Sequence, residues 1–231
     1  MAVSIADNLA RIRAEVDDAA RAAGRDPSSV RIIPVSKYHP VSQIREAHAA
    51  GYALFGENRV QEMVAKHAEV ADEGIGFAII GNVQSNKAKP VAELAAELQS
   101  LDSLSLARNL DRRCAALGRR LPVLVQVNTS GEPQKSGIAP EAAVDFARQL
   151  QQFEALDVRG LMTMAVFSDD EAEVAACFTR LTDAQARIRD ALGGGYDELS
   201  MGMSGDFTLA VAHGSTCVRI GTAIFGPRVV A

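Results

Sequence analysis

Residues 31–37 read RIIPVSK, a short apolar run that ends in a lysine. A continuous apolar run of this length, bounded by turn-forming residues, is the pattern of a buried β-strand. The chain continues as KYHP (37–40), where a dinucleotide-binding fold would need a Gly-rich turn after its first strand. The lysine itself stands out, because the chain has five lysines (Lys37, Lys66, Lys87, Lys89 and Lys135) against nineteen arginines. Arginine cannot do amine chemistry. A lysine at the rim of an apolar strand can be desolvated, which lowers its pKa and frees the neutral amine that Schiff-base formation needs. Taken by itself, Lys37 reads more readily as a solvated residue opening a turn before Pro40, and it is the rest of the chain that reverses this.

Working outward, Ile5, Leu9, Ile12, Val16 and Ala19 or Ala20 recur at helical spacing, which predicts an amphipathic helix over 3–23 that stops at Gly24. Downstream, strand signals return at 52–55, 77–80, 98–101, 122–127, 156–162, 198–200 and 217–220. Helical stretches precede them: 41–50, one from about Asn58, one after Asn86, then 104–117, 140–151, 170–191 and 204–213. Strict alternation predicts a parallel sheet. Eight such units in roughly 200 residues predict closure into a single (β/α)8 TIM-type barrel of the α/β class with an extra N-terminal helix. An open doubly wound sheet is the alternative. No linker or low-complexity tract divides residues 1–231, so one domain is expected.

Composition narrows the function classes. A formal net charge of -5, with no basic run, disfavours nucleic acid as a partner. Arg112, Arg113, Arg119 and Arg120 read as a solvated helix face. Cys114, Cys177 and Cys217 form no Cys-x-x-Cys pair and are odd in number, so neither a disulfide framework nor a zinc site is indicated. His39, His48, His67 and His213 have no metal-ligand spacing and read as surface residues. The charged opening stretch has no apolar leader and no run reaches membrane-span length. A cytoplasmic protein, neither exported nor inserted, is expected.

In a barrel, function collects at the carboxyl ends of the strands. Polar residues fall there repeatedly: Lys37; Glu57, Asn58 and Arg59; Asn82, Gln84 and Asn86; Asn128; Thr163. Each alone could be a turn or helix cap. The loop after strand seven, SMGMSGD (200–206), has two serines and two glycines with a helix start near Ser204. The loop after strand eight holds Gly221 and Thr222 within RIGTAIFG (219–226). Small residues at a helix N-terminus make an anion site, and these two loops often bind phosphate in barrels. Arg219 lies in an otherwise apolar strand, where a charge needs a partner. Glu57 or Asp206 could answer it, or it could donate a hydrogen bond to a ligand while staying charged.

Together these segments resemble the pyridoxal 5'-phosphate homeostasis protein family, single-domain relatives of the alanine racemase N-terminal barrel. The segments that carry the resemblance are VSKYHP (35–40), LFGENRVQE (54–62), IGNVQSNK (80–87), VNTSGEPQKSG (127–137), RGLMTM (159–164), LSMGMSGDF (199–207) and RIGTAIFGPR (219–228). One departure is GIGFAII ahead of Gly81, where the family more often has an aromatic and a histidine. The resemblance implies a covalent aldimine between Lys37 and pyridoxal 5'-phosphate, a phosphate held by Ser204, Gly205, Gly221 and Thr222, and Arg219 facing the pyridine nitrogen. It places Asn58 along the cofactor and carries Ser200 and Met201 into the same site. It implies a role in intracellular vitamin B6 homeostasis, apo-enzymes that accept the cofactor as partners, and a monomer.

A cofactor-bound lysine suggests an enzyme, so the chemistry must be weighed. Pyridoxal catalysis uses the ring as an electron sink, which works best when an acid keeps the ring nitrogen protonated. An arginine partner leaves the sink weak. Racemisation would then need two bases, and the barrel racemases take the second, a tyrosine, from a separate β-domain. The sequence stops at Ala231, just past the eighth strand, so no such domain is expected. A non-catalytic cofactor carrier is therefore the leading expectation, and a low-activity pyridoxal-phosphate-dependent racemase the alternative. A Schiff-base aldolase is disfavoured, because the first strand offers no carboxylates beside its lysine.

Overall fold

The computed structural model describes residues 4–132 and 134–227. Eight strands follow one another as β1 (Arg31–Pro34), β2 (Leu54–Glu57), β3 (Gly76–Ile79), β4 (Glu97–Leu101), β5 (Leu121–Gln126), β6 (Leu156–Met162), β7 (Glu198–Ser200) and β8 (Cys217–Ile220). All pairings are parallel and the sheet order is β1-β8-β7-β6-β5-β4-β3-β2. The seam left between β1 and β2 is closed by a bridge from Val35 to Gly56, where the Ser36 amide donates to the Gly56 carbonyl at 3.0 Å. The sheet is therefore a TIM-type barrel, not the open alternative.

Around it lie α1 (Ile5–Ala22), α2 (Val41–Ala49), α3 (Val60–Val70), α4 (Ala88–Leu94), α5 (Leu104–Ala116), α6 (Ala143–Leu150), α7 (Glu171–Leu192), α8 (Phe207–Ala212) and α9 (Thr222–Phe225). The extra helix α1 starts at a capping box, in which the Ser4 hydroxyl accepts from the Asp7 amide and the Asp7 carboxylate accepts from the Ser4 amide. It buries Ile5, Leu9, Ile12, Val16 and Ala20, and the larger apolar side chains are worth roughly 1.5–3 kcal/mol each. This helix packs against α8 and α9. Asn8 donates to the Ile224 carbonyl at 2.9 Å and Arg11 to that of Ala223 at 3.2 Å, so α1 braces the elements that follow β7 and β8.

Alternation along the strands sorts side chains to two sides. Ile32, Phe55, Phe77, Ile79 and Leu98 join the main apolar core with the helices, whereas Ile33, Val35, Ala78, Ile80 and Cys217 form a small second cluster. Ile33 and Val35 share their face of β1 with Arg31 and, beyond the strand, Lys37.

Some boundaries differ from expectation. The second strand begins at Leu54, two residues late, because the Tyr52 amide still bonds the Ala47 carbonyl of the preceding helix; Glu57 is thus its last residue and not part of the loop. The helix expected from Ser204 begins at Phe207, since the Asp206 carboxylate accepts from the Met203 amide and shapes a tight turn over 204–206. His39 is not a surface residue: it is 5% exposed, stacks on Phe225 with ring centroids 5.1 Å apart and bonds Gln43, and burial holds its pKa below the ordinary value. Arg119 is no solvated charge either, because it donates to the Ala92, Glu93 and Ala95 carbonyls at the end of α4. Among the described residues, no helix is long and apolar enough to cross a membrane and no cluster of three or more His, Cys, Asp or Glu could hold a metal ion.

Candidate functional site

Lys37 follows β1 at the carboxyl face of the barrel and is half-buried. The turn that carries it is held on both sides. The Val35 amide donates to the Ile220 carbonyl at 2.8 Å, and Tyr38 takes up a left-handed backbone conformation, φ 66°. Beneath it lies a buried ionic cluster: the Ser36 hydroxyl donates to Glu57 Oε1 at 2.6 Å, and Lys66 Nζ donates to the same oxygen at 2.7 Å. Glu57 is fully buried, and its Oε2 has no hydrogen-bond partner among the described residues. Burial pushes the Glu57 carboxyl above its ordinary pKa, against the opposing pull of Lys66 and Ser36.

Arg219 sits on β8, whose register pairs it with Ile33 of β1, and is 3% exposed. Neither Glu57 nor Asp206 forms an ion pair with it. Its Nη1 donates to Ser200 Oγ at 2.5 Å and its Nη2 to the Thr163 carbonyl at 2.7 Å, so its direct partners are neutral; Asp206 acts on it across a longer gap. Burial lowers the guanidinium pKa, yet an arginine starts so high that it stays charged. From Ser200 a file of polar groups descends through the barrel: Ser200 Oγ donates to Gln99 Oε1 at 2.7 Å, Gln99 Nε2 to Glu97 Oε1 at 2.6 Å, and Arg31 Nη2 to Glu97 at 2.9 Å and to Glu198 at 2.6 Å. Thr163 is locked in turn by donating to the Val127 carbonyl at 2.8 Å.

The loops after β7 and β8 meet. The Ala223 amide donates to Ser204 Oγ at 3.4 Å, leaving that hydroxyl's own proton to point elsewhere. Gly202 has φ +97°, and a Cβ there would lie 2.6 Å from the Ala210 Cβ, so glycine alone lets the first of these loops close onto α8. Gly205, in contrast, has open space where a Cβ would stand. Gly81 must also be glycine, since a Cβ would come within 2.3 Å of the Asn58 carbonyl oxygen; this contact sets Asn58 at the rim. Beside it a groove of about 490 Å³ is bounded by Asn58, Arg59, Asn82, Gln84 and Lys87. A hollow of about 530 Å³ between Pro140 and α7 includes none of the strand-end residues.

The expected site residues therefore take up different positions. Lys37, Asn58, Ser204, Gly205 and Gly221 lie on loops or turns of the carboxyl face and Thr222 opens α9 there, with Arg219 beneath them. Ser200 and Met201 are fully buried: the Ser200 hydroxyl is shared by Arg219 and Gln99, and the Met201 side chain belongs to the main core. Asn128 organises its own loop by donating to the Glu132 and Lys135 carbonyls. Sequence reasoning passed over Lys66, Glu62, Glu97 and Gln99. The Glu62–Lys66 spacing of four was a visible signal, as were Glu97, Gln99 and Ser100 in a strand buried along its whole length.

The fold and this cluster of strand-end groups correspond to a known class: residues 8–229 match the family described as alanine racemase, N-terminal domain. A pyridoxal phosphate homeostasis protein from Pseudomonas aeruginosa is 44% identical over 97% of this chain and 96% of its own length. One from Escherichia coli K12 is 38% identical, over 97% of each. The structure of PipY from Synechococcus elongatus with PLP bound superimposes with a TM-score of 0.85 at 40% identity, covering 96% of this chain and 100% of PipY. A Clostridium difficile alanine racemase shares the fold at a TM-score of 0.73 and 16% identity, and the match covers 57% of it. The chain belongs to the pyridoxal phosphate homeostasis protein family, within the alanine racemase N-terminal barrel class.

Proposed function

We propose that the protein binds pyridoxal 5'-phosphate at the carboxyl ends of β1, β7 and β8, holds it as a Schiff base on Lys37, and keeps it in reserve without catalysing on it. The observation that carries this reading is Arg219: a buried, permanently charged guanidinium fixed on neutral oxygens, in the strand next to the one that presents Lys37. A group that cannot give up its proton leaves a facing ring nitrogen unprotonated, and the electron sink that amino-acid chemistry needs stays weak. The PLP found in the PipY structure supports the same ligand here.

The residues present fit the group. Lys37 supplies the amine, condensing with the aldehyde as water leaves. Ser204 and Thr222 offer hydroxyl donors, and Gly205 and Gly221 bare their backbone for the phosphate. Asn58 lines the rim and Ser200 acts from below by steadying Arg219, whereas the Met201 side chain, expected in the site, packs in the main core. In this role the protein is a cytoplasmic monomer of one domain that serves vitamin B6 homeostasis and yields the cofactor to apo-enzymes.

The test is borohydride reduction of protein mixed with pyridoxal phosphate, followed by peptide mapping. The expected result is one modified lysine, Lys37, and loss of both label and absorbance band in Lys37→Ala. Labelling elsewhere would refute the assignment. With L- or D-alanine the loaded protein should show no α-proton exchange into deuterated water; rapid exchange would favour the racemase alternative.

A further inference from the structure

Lys66 is 7% exposed on α3 and uses all three of its ammonium protons inside the protein. It donates to the Ser36 carbonyl at 2.7 Å, to Glu57 Oε1 at 2.7 Å and to Glu62 Oε1 at 2.8 Å. Two of these acceptors also hold the residues flanking Lys37. Glu57 accepts from the Ser36 hydroxyl, and Glu62 accepts from the Tyr38 amide at 2.6 Å. The Tyr38 backbone, φ 66°, is a conformation that costs an L-residue about 1–2 kcal/mol and persists where its surroundings over-determine it. The Arg59 guanidinium adds a contact over the Tyr38 ring, 5.9 Å from its centroid. A buried lysine bound to two glutamates is a poor source of stability compared with apolar packing, so its effect must be sought in what it fixes.

We propose that Lys66 is a positioning residue for Lys37: its tripod clamps the backbone before and after that lysine and thereby aims the amine. The inference rests on the reading that Lys37 forms the Schiff base with pyridoxal phosphate. It predicts that the clamp matters for bonding the aldehyde and not for holding the phosphate.

The probes are pyridoxal 5'-phosphate and pyridoxine 5'-phosphate, which lacks the aldehyde, titrated into the full chain. The double variant Lys66→Met/Glu57→Gln removes the tripod and leaves the cluster charge at -1, as in the parent, where Lys66 stands against Glu57 and Glu62. Pyridoxal phosphate should bind about tenfold to a hundredfold more weakly, the penalty for a reactive group misplaced by about 1 Å. Pyridoxine phosphate should stay within about twofold, and borohydride trapping on Lys37 should slow in step with the first loss. Equal weakening of both ligands, or no weakening of either, would overturn the proposal. Should the double variant not fold, Glu62→Ala, at a partly exposed position, removes the Tyr38 acceptor together with one of the three Lys66 acceptors; Lys66 keeps Glu57 and the Ser36 carbonyl, so the turn that carries Lys37 loses one hydrogen bond. It should weaken pyridoxal phosphate by about twofold to tenfold, the range of one lost hydrogen bond, and spare pyridoxine phosphate; any other pattern counts against the clamp. Failure of the underlying reading is seen separately, as Lys37→Ala binding pyridoxal phosphate as tightly as the parent.

Discussion

Ser200→Ala probes the polar file at its narrowest point. The substitution removes one oxygen and leaves almost no cavity, so its cost comes from hydrogen bonding. Two buried partners are left short: Arg219 Nη1, 2.5 Å away, loses an acceptor, and Gln99 Oε1, 2.7 Å away, loses its donor. Both side chains are almost fully buried, so bulk water cannot replace what is lost. A hydrogen bond to a charged group is worth about 1.5–3 kcal/mol and an unsatisfied buried acceptor costs about 1–3 kcal/mol. Arg219 keeps its bond to the Thr163 carbonyl, which holds the sum near 3 kcal/mol. In a chain of this size that lowers Tm by roughly 6–12 °C. The assay is urea unfolding of parent, Ser200→Ala, Gln99→Leu and the double variant. The double variant should be less destabilised than the two single losses added together, with a coupling of about 1 kcal/mol or more, because the stranded acceptor is gone. Additive losses, or a Ser200→Ala effect under about 0.5 kcal/mol, would show that the file is not a connected unit.

Two other outcomes are expected. Ser204→Ala with Thr222→Ala should weaken retention of pyridoxal phosphate by about 1–3 kcal/mol while leaving pyridoxal nearly indifferent, because the lost donors serve only a phosphate; equal losses in equilibrium titrations would move the phosphate elsewhere. Tyr196, 7% exposed, has its phenol pushed by burial from 10.0 up to about 12. The folded state therefore keeps a proton that the unfolded chain releases, so stability is full below pH 10 and falls as pH climbs towards 12, by about 2–3 kcal/mol in all. Denaturant midpoints across that range, compared with Tyr196→Phe, measure it; identical alkaline slopes in the two proteins would refute the assignment.

The eightfold alternation was plain in the sequence because most strands are short runs buried on both faces and the longer helices carry their own apolar stripes. The last three strands were bounded to the residue. Tyr52 misled the second strand, since an aromatic after a glycine reads as a strand start although its amide still belongs to α2. Lys37, Arg219 and the paired loops were legible as residue types at strand ends. The support beneath them was not. Pairing Lys66 with Glu57 requires knowing how α3 leans on the end of β2, and pairing Gln99 with Ser200 requires knowing which strands face each other across the barrel. Neither relation leaves a periodic trace in the chain. His39 looked like a surface turn residue because nothing local announces the Phe225 ring, 186 residues later, against which it stacks.

The two buried clusters are expensive for the same physical reason. Each takes charges out of water: Lys66 with Glu57 under the first strand end, and Arg219 with no direct anionic partner among the described residues under the last two loops. The first repays much of its desolvation by pairing, since Lys66 has three acceptors at 2.7–2.8 Å. The second does not, because Ser200 and Thr163 contribute dipoles where a carboxylate would contribute a full charge. An apolar residue at 219 would give the barrel a less costly interior, and a carboxylate beside the arginine would neutralise it at once. A neutral acceptor arriving from above, such as an unprotonated ring nitrogen, gains most from a guanidinium left in that state, because no anion competes for its remaining donors. On the proposed function, the same feature that makes Arg219 costly to fold around would make it selective for a ring held in its less reactive form.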